Sequence, residues 1–233
     1  MQAGFFLSLY CVFIKLFSML TNYQQAVENI HKELRGYLEQ HSQIQSLVLG
    51  LSGGIDSGLS AALARPVCDD LGIKLIGRSI TISTNKPDEI SRGEAIGHAF
   101  CHDFAHIDLS DRFGKIAETV MEGFFEEDTR DINFKIRLGN VKARTRMMYL
   151  YNLAGKHKGM VLSTDNYTEY LLGFWTLHGD VGDYGMIQNL WKSEVYGIAR
   201  HLVNVATNSH RQDALLRCVE ALPTDGLGIT ATD

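Results

Sequence analysis

The chain has 233 residues, 45% of them hydrophobic and 21% charged, with a formal net charge of −5. That length suits one large domain that buries its own core without disulfide or metal staples, and so mild an acidity offers no basic field to a nucleic acid. Cys11, Cys68, Cys101 and Cys218 are scattered without a CxxC pair, which argues against a structural zinc site and a secreted disulfide scaffold and fits reduced, buried thiols in a cytosolic protein.

At the N-terminus, GFFLSLYCVFIKLFSML (Gly4–Leu20) is apolar but broken by Lys15, and is barely long enough to span a bilayer. It lacks the basic n-region and small-residue cleavage site of a signal peptide. Residues 1–20 therefore read as an extension, with translation starting at Met19 and a single domain over 21–233. No membrane partner and a cytoplasmic location are expected. An amphipathic helix is predicted over Tyr23–Gln40.

From there the pattern alternates. SLVLGL (Ser46–Leu51) is a buried-strand candidate, followed by a helix from about Ser57 that Arg65-Pro66 is expected to end. IKLIGRSITI (Ile73–Ile82) is the next strand, and KPDEISRGEAIGHAFC opens a helix with a proline suited to its first turn. FAHIDLS (Phe104–Ser110) and DRFGKIAETVMEGFF repeat strand and helix, and a charged stretch between Glu126 and Gly139 is expected to interrupt the alternation. A long helix over Asn140–Lys156, a strand in GMVLST, an irregular Gly/Asp-rich region over Gly173–Gly185 and a helix from about Lys192 to Val203 complete the pattern. Strand and helix in this order predict an α/β fold: a doubly wound, mostly parallel sheet with helices on both faces. The chain stops within the turn-rich PTDGLGITATD, so its C-terminus reads as incomplete.

Ligands of a doubly wound sheet sit beyond the carboxyl ends of its strands, where the first strand runs into Ser52-Gly53-Gly54-Ile55-Asp56-Ser57. Two glycines let backbone N–H groups point inward, two hydroxyls add donors, and the new helix offers its positive end. Together these make a phosphate cradle. Asp56 would repel phosphate unless a magnesium ion bridges the two. The loop carries neither the GKS/GKT of a Walker A motif nor GxGxxG. A lone Gly-Gly turn would be unremarkable; the ordered set between strand and helix points to function.

SGGIDS resembles the pyrophosphate loop of the ATP pyrophosphatase superfamily, whose fold is adenine nucleotide alpha-hydrolase-like. GNVKARTRMMYLYNLAG (Gly139–Gly155), LSTDNYTEYLLGFWTLHGD (Leu162–Asp180), NLWKSEVYGIARHL and LPTDGLG narrow the resemblance to ammonia-dependent NAD synthetases. It implies ATP contacts at Gly50, Leu51, Ser52, Gly53, Gly54, Ile55, Asp56, Ser57, Thr164, Lys192 and Thr224; magnesium at Asp56 and Glu169; and deamido-NAD contacts at Arg144 and Asp183. Asp56, Ser57 and Lys192 are the implied catalytic residues. On sequence alone Glu169 reads as a solvated helix residue, and the motif reverses that. Arg146, two positions from Arg144 and so on another helix face, reads as an interhelix or interface ion-pair residue.

The implied reaction is amidation of deamido-NAD by ATP and free ammonia through an acyl-adenylate, in a homodimer. An enzyme acting on nicotinate mononucleotide, or an inactive nucleotide-binding member, is the alternative. The chain departs from the family's TKYGDGAAD at TLHGDVGD, where Leu177 stands for a substrate-contacting lysine and the loop is one residue shorter. Ser163 replaces a glycine, and the family's C-terminal His-Lys or His-Arg segment has no counterpart.

Overall fold

The structure, a computed structural model, describes residues 19–83, 85–122 and 128–223. Thr224 and residues 1–18 of the expected extension lie outside the described residues. Among the described residues no helix is long and apolar enough to cross a membrane.

Chain order brings α1 (Tyr23–Gln40), β1 (Ser46–Gly50), α2 (Ile55–Leu71), β2 (Lys74–Thr81), α3 (Pro87–Phe100), β3 (Asp103–Asp108), α4 (Ser110–Val120), α5 (Ile132–Lys156), β4 (Gly159–Ser163), α6 (Tyr167–Leu172), β5 (Tyr184–Gly185), α7 (Lys192–Val205) and α8 (Ser209–Glu220). The strands form one sheet in the order β3-β2-β1-β4-β5, and every pair is parallel. This is the doubly wound α/β fold that the alternating pattern predicts.

Side chains of β1 alternate between two cores, as period-two geometry requires. Leu47 and Leu49 join Leu59, Leu63, Ile96, Val195 and Ile198 on the face covered by α1, α2, α3, α7 and α8. Val48 joins Ile76, Val161, Met147 and Leu150 on the face covered by α4 and α5. Leu47, Val48 and Leu49 are completely buried, each stabilising the fold by about 1.5–3 kcal/mol. With β1 held on both sides, the strand order reverses between β1 and β4. The loops leaving these two strands therefore meet at the crevice where such sheets take ligands.

Two boundaries differ from the sequence expectation. Pro66 does not end α2. A proline inside a helix costs about 3 kcal/mol, but Val67 and Cys68 beyond it are wholly buried, and that burial offsets the cost. Gly72 ends the helix instead, at φ 67°, with the Ile73 N–H donating to the Cys68 carbonyl. The stretch expected to interrupt the alternation is helical from Ile132 on. Asp131 caps it by accepting the Asn133 and Phe134 N–H groups, and Phe134 turns inward while Asp131 and Asn133 stay exposed. The high charge of this stretch was the misleading signal. The helix α8 does not show in the coarse pattern, and α6 shows only where Glu169 reads as a helix residue.

Candidate active site

Beyond Gly50 the chain leaves the sheet with the Leu51 N–H donating to the Arg78 carbonyl at 2.8 Å. Gly53 then takes φ +82°, and a Cβ there would run into the Glu89 carbonyl oxygen of α3. Only glycine fits this position. The Gly54 N–H donates to Ser52 Oγ at 3.2 Å, Ser57 Oγ donates to the Gly54 carbonyl at 3.2 Å, and the two hydroxyls lie 3.2 Å apart. The serines thus tie the turn closed. Ser57 is buried and does not line the cavity in front of the loop. Asp56 falls in the first turn of α2, at its positive end.

Three charged groups meet over this turn. Lys192 Nζ, on the first residue of α7, donates to Asp56 Oδ2 at 2.5 Å and to Glu169 Oε1 at 3.4 Å. Asn166 joins them: its amide donates to Asp56 Oδ1 at 2.9 Å, while its backbone N–H donates to Glu169 Oε2 and its Oδ1 accepts the Glu169 N–H, each at 3.1 Å. These reciprocal bonds are the capping box of α6, so the motif that starts the helix also aims its carboxylate. Fully buried Asn166 was missed as a site residue, although N-x-x-E after a strand is a legible capping signal. Burial would lower the Lys192 ammonium, but Asp56 and Glu169 hold it above its usual range. Burial, with Asp56 beside it, raises Glu169 despite the lysine.

A cavity of about 700 Å³ opens before the loop. Thr164, Asp165, Glu169 and Lys192 form one wall, the end of β2 and α3 another, and α5 with the 173–180 loop the third. Arg146 lines it, and among the described residues it makes hydrogen bonds where an interhelix ion pair was one expectation. Its Nε donates to the Ile80 carbonyl at 3.2 Å and Nη2 to Asn85 Oδ1 at 3.0 Å. Burial brings its guanidinium down to about 10, against the nearby charges of Glu89 and Asp180. Two further acids face the cavity that the sequence reading left without a role. Asp165 is pushed up to about 7 by burial and by Asp180, although Ser163 Oγ donates to it at 3.0 Å. Asp180 is raised by burial even as it accepts the Thr176 N–H.

Arg144 and Asp183 do not line this cavity. Exposed Arg144 donates from Nε to the Leu177 carbonyl at 3.2 Å. Asp183 accepts Tyr151 Oη at 3.0 Å and the Val161 N–H at 2.9 Å, and burial with this carboxylate pushes the Tyr151 phenol up to about 12. The structure therefore brings Asp56, Thr164, Glu169 and Lys192 together around the loop, and sets Arg144 and Asp183 apart on its outer side.

Residues 26–210 match the family model described as NAD synthase. The NH(3)-dependent NAD(+) synthetase of Chlorobaculum parvum is 37% identical over 164 residues, 68% of this chain and 53% of that protein. The enzyme of the same description from Campylobacter jejuni subsp. doylei is 34% identical over 167 residues, 70% of this chain and 61% of that protein. The chain spans about half the length of the first of these relatives. Among solved structures, the NH3-dependent NAD synthetase of Campylobacter jejuni superposes with TM-score 0.67 at 21% identity, covering 88% of this chain and 99% of that one. The NMN synthetase of Francisella tularensis superposes with TM-score 0.73 at 23% identity, covering 89% and 78%. Likeness at that distance speaks for the fold alone, but the family model covers most of the sequence: this chain belongs to the NAD synthase family.

Proposed function

We propose that the protein is an ATP-dependent ligase that converts deamido-NAD and ammonia to NAD, releasing AMP and pyrophosphate. The observation that carries this reading is the Asp56–Lys192–Glu169 group standing over a glycine turn at the crevice between β1 and β4. Such a turn favours phosphate through its N–H groups and the α2 dipole, and Lys192 offsets charge on the departing pyrophosphate. The reaction gains chiefly from positioning: the nicotinate carboxylate must be held against the α-phosphorus and ammonia against the resulting acyl group. Thr164, on the same wall, suits a contact to the nucleotide. Of the other residues the resemblance names, Thr224 lies outside the described residues, and Ser57 acts by closing the turn.

Magnesium fits the donor set. Asp56 and Glu169 present hard carboxylate oxygens to one and the same ammonium, and no described group of three or more His, Cys, Asp or Glu residues could cage a metal alone. That suits an ion held by one or two carboxylates together with substrate phosphates. When bound, it would neutralise triphosphate charge.

Arg144 has donors to spare for the dinucleotide on the outer side, whereas both oxygens of Asp183 already accept bonds from the protein. Exposed Met148, Tyr151, Leu171, Leu172 and Leu177 lie on α5, α6 and the loop that Arg144 touches. This apolar surface suits the homodimer that the family resemblance implies, with the substrate near its boundary.

Incubation of the protein with MgATP, ammonium and deamido-NAD is expected to yield NAD, AMP and pyrophosphate in equal amounts, and far less amide from nicotinate mononucleotide. Absence of amide from either acid, or AMP release independent of the acid, would overturn the reading.

A further inference from the structure

Resting on the ligase reading, we propose that Arg92 is a second cation of the phosphate site: its Nε holds the glycine turn and its remaining donors grip the pyrophosphate that leaves. Nothing in the motifs above marks this residue.

Among the described residues, Arg78, Arg92, Arg146 and Lys192 are the lysines and arginines that line the cavity. Three of them are committed elsewhere. Arg78 is paired with Asp103 and bonded to the Gly77 carbonyl; Arg146 is tied to Ile80 and Asn85; Lys192 is shared by two carboxylates. Arg92 instead spends one donor, Nε, on the Gly53 carbonyl at 2.9 Å, and pairs with no carboxylate among the described residues. A guanidinium has five N–H donors in a fixed fork that matches phosphate, so most of its capacity stays unused beside the turn.

Its placement is rigid. Helix α3 packs directly on the loop: a Cβ at Gly93 would stand 2.9 Å from the Leu51 carbonyl oxygen, and one at Gly53 would run into the Glu89 carbonyl. The C=O and N–H of a planar trans peptide point opposite ways. By drawing the Gly53 carbonyl toward α3, Arg92 fixes the direction of the Gly54 N–H on the other side.

Charge supplies the rest of the argument. Lys192 with Asp56 and Glu169 sums to one negative charge, which a bound cation and further positive side chains must offset before a phosphate chain can sit there. Arg92 reaches the same turn from α3, adds positive charge to a cavity that Glu89, Asp165 and Asp180 also line, and presents planar donors, as charge-assisted phosphate contacts require.

The test uses the full chain with Arg92→Gln, whose amide still donates to the Gly53 carbonyl but carries no charge, beside Arg92→Lys, which keeps the charge. Magnesium pyrophosphate binding is measured by calorimetry, and its inhibition constant and the KM values for ATP and ammonia by turnover. Arg92→Gln is expected to weaken pyrophosphate and raise the ATP KM at least tenfold with the ammonia KM unchanged, and Arg92→Lys to recover most of the loss. Pyrophosphate binding unchanged in Arg92→Gln would overturn the proposal, whether or not the parent makes amide. So would an equal loss in both variants, which marks Arg92 as a brace only. A parent that binds pyrophosphate through Arg92 but forms no amide would sink the ligase reading and leave this site standing.

Discussion

The inner edge of the site and its outer side are built by opposite means. At the inner edge, local turn and cap geometry sets Ser52, Gly54 and Glu169, and bonds from Asn166 and Lys192 to Asp56 tie those stretches to one another across more than a hundred residues. On the outer side, Arg144 and Asp183 reach across only 22 to 33 residues and spend their polar groups on the Leu177 carbonyl, the Val161 N–H and Tyr151. Chemistry concentrates where the network closes on itself. Where side chains hold backbone, substitution is felt first as stability.

The largest effect that sharpens this contrast is expected from Asp56→Asn. The amide can still accept from Asn166, but it removes one of two carboxylates on Lys192 and an oxygen ligand for magnesium. Turnover should fall by about a thousandfold or more, the scale of losing a preorganised electrostatic group, with the melting temperature changed by only a few degrees. A variant within tenfold of the parent would dissolve the distinction between the two regions.

Gly53→Ala comes next. Positive φ costs a residue with a side chain about 1–2 kcal/mol, and the clash with the Glu89 carbonyl forces α3 away from the turn, for a total of about 2–4 kcal/mol. Denaturant titration should show that loss, and the ATP KM should rise with it because Arg92 moves with α3. Retention of both would mean that the loop relaxes freely.

On the outer side, Asp183→Ala is expected to cost about 1–3 kcal/mol, because the Val161 N–H and the Tyr151 hydroxyl lose their acceptor. A cycle with Tyr151→Phe should give a coupling of about 1 kcal/mol. If the deamido-NAD KM rises sharply while stability barely moves, Asp183 belongs to the substrate and the contrast fails at that residue.

Much of the inner edge was legible because its signals are local. Gly-Gly before a helix fixes where the turn lies, and an apolar run before Thr164 places that residue at the same sheet edge. Arg92 was not legible, since nothing in its neighbours along the chain says that α3 packs on Gly53. Asp165 and Asp180 escaped for a related reason: a carboxyl's environment depends on which buried groups the fold brings beside it. Pro66 and the start of α5 were misjudged because tertiary burial outweighed local preference.

Asp165 yields the smallest expected effect and the one tied most directly to pH. Its carboxyl titrates near 7 in the folded chain against an ordinary 3.8, chiefly from burial and then from Asp180. The folded state therefore holds this proton more tightly than the unfolded state. Stability from Asp165 is complete below about pH 4 and is lost as pH rises through 7. Asp165→Asn removes the titration and keeps an acceptor for Ser163 Oγ. The carboxyl is partly open to solvent, so screening leaves about 1–2 kcal/mol of the effect. The variant should match the parent near pH 4 and exceed its stability by that amount at pH 8, while turnover falls. Parallel stability curves for the two proteins between pH 4 and 8 would show that Asp165 is not strained, and that the inner edge stores no charge repulsion beyond the group over the glycine turn.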